Sequence, residues 1–188
     1  MNKFIVTIVI ALVLSINGFG QKSSMDAFQD FNNHSEFPAF NEEMIFNIKG
    51  DSVGGYAFIA NGGKHKETVI MLHGLPGNDN QFDIAQSLRR TGRNVIHFNY
   101  RDSWGSQGEF LYSNSLEDLD EVIKNLSTSE NSKRLRIDAN TFTVLGRSYG
   151  GGIALIQGSK NKAIKKIIAM SSMNAGDRFK PIQNLSEL

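Results

Sequence analysis

The chain has no cysteine among its 188 residues. That excludes a disulfide scaffold, a Cys-ligated zinc site, a cysteine nucleophile and a lipidated N-terminal cysteine. Neither sign of charge is in excess: 20 Lys+Arg against 19 Asp+Glu leave a formal +1. Nucleic acid and anionic membrane surfaces are therefore poor partners, and none is predicted. No apolar run reaches the roughly 18 residues that a membrane-spanning helix needs. There is no internal repeat, no low-complexity segment and no cofactor fingerprint. Asp79 and Asp102 lack metal-ligand spacing, so no metal and no cofactor are expected. What remains is a globular composition, 40% hydrophobic and 21% charged, with length enough for one domain and a sizeable core.

The N-terminus has the grammar of an export signal. Met1-Asn2-Lys3 is a short basic start, and Phe4 to Leu14 is apolar except for Thr7. Gly18 and Gly20 form a small-x-small site, so cleavage after Gly20 leaves Gln21 first. Residues 1–20 are read as a signal peptide and the mature chain as secreted or periplasmic. The competing readings of Phe4–Leu14 are an uncleaved anchor and a buried strand.

Residues 21–43 are polar with scattered Phe and no period, and read as a linker and edge segment. Met44 to Ile48 and Val53 to Ala60 are strand-like runs around Lys49-Gly50-Asp51-Ser52, which predicts an antiparallel hairpin. From there the pattern changes. Thr68–Leu72, Asn94–Phe98, Thr141–Leu145 and Ala163–Met170 are apolar strands. Amphipathic helices over Gln81–Arg90, Ser115–Leu126 and Tyr149–Gln157 separate them. In the first helix Phe82, Ile84, Ala85 and Leu88 face inward. In the second the stripe is Leu116, Leu119, Val122, Ile123 and Leu126. This alternation predicts an α/β fold: a mostly parallel sheet with helices on both faces and the hairpin at its N-terminal edge. In such sheets ligands bind at the carboxyl ends of the strands, which points to the loops after Leu72, Phe98 and Leu145.

The loop after Leu145 reads Gly146-Arg147-Ser148-Tyr149-Gly150-Gly151-Gly152. It is a G-x-S-x-G sequence between a buried strand and a helix, the context in which that motif exposes a serine nucleophile on a sharp turn. Gly146 and Gly150 allow close backbone approach. Gly151 and Gly152 each cost the helix about 1 kcal/mol relative to Ala, which predicts tight helix–strand packing. The bland alternative is a Gly-rich turn with a helix-capping serine. The loop after Leu72 begins His73-Gly74-Leu75-Pro76-Gly77. An oxyanion hole needs backbone N–H groups converging on one point. Pro76 has none to offer, so the Leu75 N–H is the natural donor, paired with that of Tyr149. His73 reads as a brace for this loop, and Arg101 likewise as a loop brace. Trp104 reads either as a substrate platform or as a loop plug.

These segments resemble the α/β-hydrolase superfamily, in its serine-peptidase-like and dienelactone-hydrolase-like branches, from about Met44 to Ser172. The resemblance is carried by Val69 through Gly77, by Phe98-Asn99-Tyr100-Arg101-Asp102-Ser103-Trp104-Gly105-Ser106-Gln107-Gly108-Glu109-Phe110, and by Gly146 through Gly151. Asp102 stands where a glycine is usual. The resemblance implies Ser148 as nucleophile, Leu75 and Tyr149 as oxyanion donors, and hydrolysis of a small-molecule or peptide ester or amide. In that family the acid and then the histidine follow the nucleophile. Here no His lies after His97. Asp177 falls one strand too early, and Glu187 lies at the terminus. Residues 44–188 are accordingly expected to be an incomplete, C-terminally truncated hydrolase domain of low stability on its own. His65 precedes a strand and His97 lies inside one, which leaves His34 as the free candidate for a substitute base. A hydrolase-like binding module without turnover is the alternative.

Overall fold

The computed structural model describes residues 36–75, 80–174 and 176. The segment read as a signal peptide, residues 1–20, lies outside them, as do His34, Asp177 and Glu187. The hairpin joins β1 (Phe40–Ile48) to β2 (Asp51–Ile59), with Ile48 opposite Asp51. Its two-residue loop has positive φ at both positions, 53° at Lys49 and 100° at Gly50. That conformation matches the twist of the flanking strands. The Asn47 side chain accepts the Gly50 N–H at 3.1 Å. β1 starts at Phe40, four residues before the apolar run, because pairing continues to Phe40–Ile59. Asn41 and Glu43 face outward there, so the polar residues that resemble a linker are the solvent side of a strand.

β3 (Lys66–Leu72), β4 (Asn94–Phe98), β5 (Ile137–Arg147) and β6 (Ile164–Met170) complete a six-stranded sheet of order β1-β2-β4-β3-β5-β6. β2 pairs with β4 antiparallel. The β3–β4, β3–β5 and β5–β6 ladders are parallel. Every residue of β4 is buried, as expected of a strand covered on both faces. One face carries α2 (Tyr112–Leu126) and α4 (Tyr149–Gly158) over Phe46, Ile70, Ile96, Phe98 and Val144. The other carries α1 (Phe82–Arg90) over Phe58, Val69, Met71 and Val95. Each such buried side chain contributes about 1.5–3 kcal/mol relative to exposure. The predicted stripes hold: Leu119, Val122, Ile123 and Leu126 are buried, with Leu116 packed beside them.

Two elements escape the apolar pattern. β5 begins at Ile137 rather than Thr141, through a register shift opposite Lys66–Thr68. The short helix α3 (Ser129–Arg134) buries no residue and is capped by Thr128 Oγ1, which accepts the Asn131 N–H at 3.3 Å. At β6 only Ile164 is buried. Among the described residues β6 pairs on one side only, with β5. No described helix is long and apolar enough to cross a membrane.

Candidate functional site

The parallel strands β3, β4 and β5 end on one side of the sheet, and the three singled-out loops meet there. β5 runs through buried Val144 and Leu145 into Ser148, where the backbone turns into α4. Ser148 has φ 53° and ψ −114°, a sparsely populated conformation for a non-glycine residue that costs about 1–3 kcal/mol. It is held from β6 and the segment after it. The Ser148 N–H donates to the Met170 carbonyl at 2.9 Å, and the Ser148 carbonyl accepts the Met173 N–H at 2.9 Å. The glycines account for the tightness. A Cβ on Gly150 would stand 2.7 Å from the His73 carbonyl oxygen and closer still to that of Leu72. One on Gly146 would stand 2.8 Å from the Gly151 nitrogen. Gly151 and Gly152 pack with equal closeness on Ser172 and Met173, which is why this helix starts with glycines despite their low propensity.

Ser148 occupies the N-cap position of α4, yet its side chain makes no capping hydrogen bond. The capping-serine reading therefore fails: among the described residues the hydroxyl makes no bond where a serine normally caps the helix. Tyr149 is the first helical residue, so its N–H has no acceptor within the helix. It adds to the positive end of the helix dipole. The Tyr149 ring is buried, with its hydroxyl 2.8 Å from Ser115 Oγ and edge contacts to Tyr100 and Tyr112. The opposite wall is Gly74, where a Cβ would lie 3.2 Å from Ser148 Cβ and 3.8 Å from its Oγ. Leu75 follows, exposed. Residues 76–79 lie outside the described set.

His73 braces this loop as expected. Its Nδ1 is 2.9 Å from the Gly74 carbonyl oxygen, and its own carbonyl accepts the Tyr100 hydroxyl at 3.3 Å. Behind it lies a second imidazole that the sequence reading did not pair with it. His97, on β4, stacks on His73 with ring centroids 5.9 Å apart. Among the described residues neither His97 nitrogen nor His73 Nε2 has a hydrogen-bond partner. Burial lowers both imidazoles, His97 to about 4 with the neighbouring His73 adding to the effect. Alternation along β4 was the available signal, since it turns His97 to the same face as Phe82. His65 lies at the amino ends of the strands, where it interacts with Asp138, across the sheet from Ser148. Among the described residues no histidine bonds to Ser148, and no three His, Asp or Glu residues group as a metal site.

The loop after β4 is bolted to α2. Arg101 Nε donates to Asp118 Oδ1 at 2.6 Å, its backbone N–H to Asp118 Oδ2 at 3.0 Å, and its Nη2 to Glu117 at 2.8 Å. Arg101 and Asp118 are both buried. Asp102 has φ 56°, which explains why a glycine is usual there: the left-handed region suits Gly, and Asp is one of the few residues that tolerates it. Trp104, at φ 51°, is exposed and plugs nothing.

Comparison with known proteins agrees with this geometry. A family model described as the alpha/beta hydrolase fold matches residues 67–185. Among solved structures, the α/β hydrolase GrgF from Penicillium is similar at TM-score 0.60 and 19% identity, over 72% of this chain and 46% of that one. An esterase from Pyrococcus furiosus is similar at TM-score 0.58 and 23% identity, over 77% and 57%. A candidate dienelactone hydrolase from Klebsiella pneumoniae is similar at TM-score 0.59 and 18% identity, over 71% and 60%. The chain thus spans about half the length of the structures it matches. A search of curated proteins returns no match. With the strand order, the elbow at Ser148 and a family match over most of the chain in agreement, this protein belongs to the α/β-hydrolase fold family.

Proposed function

We propose that this chain carries the nucleophile and oxyanion hole of a secreted serine hydrolase that cleaves small esters or amides. The observation that carries the reading is the free Ser148 hydroxyl: a serine at a helix N-cap, in a strained conformation, that caps nothing. In the reaction Ser148 Oγ attacks the substrate carbonyl carbon and gives up its proton to a base. The carbonyl oxygen becomes an oxyanion facing the N–H groups of Leu75 and Tyr149 at the positive end of α4. Collapse expels the alcohol or amine, which takes the proton, and water then hydrolyses the acyl-serine. The base and its orienting acid are supplied from outside the described residues. Esterase chemistry is favoured over peptidase chemistry because the similar structures include an esterase and a candidate dienelactone hydrolase. Export through residues 1–20, leaving Gln21 first, belongs to the same reading.

The test is labelling of the product exported by its native host with a fluorophosphonate, read by peptide mass spectrometry. The adduct is expected on Ser148 and absent in Ser148→Ala, with Gln21 as the N-terminal residue. A folded, exported product that never labels at Ser148 would favour the second reading, a binding module of the same fold without turnover. The unpartnered Ser148 hydroxyl admits that reading as well.

A further inference from the structure

Apart from Ser148, the molecule holds a second cleft, of about 230 Å³, on the sheet face that also bears α1. It is formed by β1, β2 and the loop after β4, and its lining includes none of Gly74, Leu75, Ser148 and Tyr149. Its volume is below the roughly 300–1,000 Å³ of pockets for drug-sized ligands, so it suits a single ring. Trp104 forms one side, 57% exposed. With Ile45 and Tyr56 it makes an exposed apolar patch, which is informative where one exposed side chain is not, and a scaffold holds it open. Gln107 N–H donates to the Ser52 carbonyl at 2.9 Å, Gly54 N–H to Ser106 Oγ at 3.1 Å, and Asn99 N–H to the Gly54 carbonyl at 2.9 Å. These bonds stitch the loop to β2 with the indole at its tip.

The polar lining selects the ligand. Asn99 is 9% exposed, and among the described residues its side-chain amide makes no hydrogen bond. The amide lines the cleft, where it is open to a hydrogen-bonding ligand. Glu43 is exposed without an ion pair among the described residues, and the Ser52 hydroxyl likewise makes no bond there. No Lys, Arg or His lines the cleft, so an anion has no counter-charge. Tyr56 packs edge-on against Phe82 at 5.3 Å, and a cation drawn to Glu43 and the Trp104 face is the competing ligand that the titration below separates. What is left is an apolar platform rimmed by a carboxylate, an amide and a hydroxyl. That set matches a ring with C–H faces and hydroxyl edges. Gly54 opens the floor: a Cβ there would meet only Asn99 Nδ2, at 3.8 Å.

We propose that this cleft binds a neutral pyranose unit, stacked on Trp104 and hydrogen-bonded by Asn99, Glu43 and Ser52. Three inter-strand steps of about 4.8 Å separate β2 from β5, roughly 14 Å in all. Joined to the hydrolase reading, on which this clause alone rests, the placement makes esters of sugars the substrate class. Trp104 is the single tryptophan, so intrinsic fluorescence reports on the cleft directly and without turnover. The protein is titrated with the methyl β-pyranosides of glucose, galactose and xylose, and with tetramethylammonium and benzoate. At least one glycoside is expected to give a saturable shift of Trp104 emission. Asn99→Ala should weaken it about tenfold, and Gly54→Val, which fills the floor, should abolish it with little change in melting. Glu43→Ala, at an exposed position, provides the check should either variant fail to fold. No saturable response to any glycoside overturns the proposal. So does a response to tetramethylammonium or benzoate alone, or a glycoside response unchanged by these substitutions. Because binding is read separately from labelling of Ser148, either result stands whatever the fate of the other.

Discussion

At Ser148 local backbone preference and fold disagree, with φ 53° and ψ −114°. Its conformation is unfavourable by itself and is maintained because Gly146 and Gly150 let three segments close around it. Two glycine substitutions separate crowding from backbone conformation. In Gly150→Ala the added carbon meets backbone oxygens of Leu72 and His73, which have no flexible end to yield. A loss of about 3 kcal/mol or more is expected, in the range of severe overpacking. In Gly50→Ala the carbon meets nothing within 4 Å, but φ is 100°, so about 1 kcal/mol is expected from conformation alone. Urea unfolding of both variants measures the difference, and equal losses would show that the crossing at Gly150 is looser than described. The elbow was legible in the sequence because its requirements are local: a strand, a spacing and glycines. Asn99 and His97 were not. What they face is set by the third dimension, the cleft beside Trp104 in one case and a second imidazole in the other.

At the scale of elements, the joint between the β4 loop and α2 depends on a buried charge pair. Arg101 bonds to Asp118 through both its side chain and its backbone N–H, and Glu117 holds the outer edge of the guanidinium. Removing one partner strands the other in a dry site. Asp118→Ala is expected to destabilise by about 3–5 kcal/mol, whereas Arg101→Met with Asp118→Leu should recover much of that. Thermal melts of the single and double variants decide this; a double variant as unstable as the single would place the value of the pair in geometry that apolar packing does not replace. The sequence announced α2 and β4 because both have strong apolar patterns, and it identified Arg101 as a brace without its partner. It misjudged elements whose stability is not apolar. β1 reaches back to Phe40 through ladder pairing over Asn41 and Glu43. α3 is a capped polar turn of helix that buries nothing. In β5, Asp138 and Asn140 precede the apolar stretch within the same strand. Hydrogen-bonded registers of this kind leave no periodic trace in side-chain polarity.

For the molecule as a whole, a sheet covered on both faces makes sensitivity to acid an expected property. Covering β3 and β4 from both sides buries His73 and His97 against each other, with Phe82 and Tyr100 as their other ring neighbours. His97 is 1% exposed and is held down to about 4 by burial first and by His73 second. His73 is lowered too, chiefly by burial. The unfolded chain takes up protons at these imidazoles near pH 6.5, while the folded His97 does not until about pH 4. Between those values the unfolded state binds more protons, so stability rises with pH. The contribution is complete above about pH 6.5 and lost progressively as the pH falls toward 4, at up to about 1.4 kcal/mol per pH unit for one proton. His97→Phe removes that proton and fills the same stacked position without its two unsatisfied nitrogens. Urea midpoints measured at intervals from pH 7.5 to 4 are expected to fall with acid in the native protein and to fall less steeply in the variant. Parallel curves would mean that the stacked pair is open to water, and that the acid sensitivity resides in carboxylates instead.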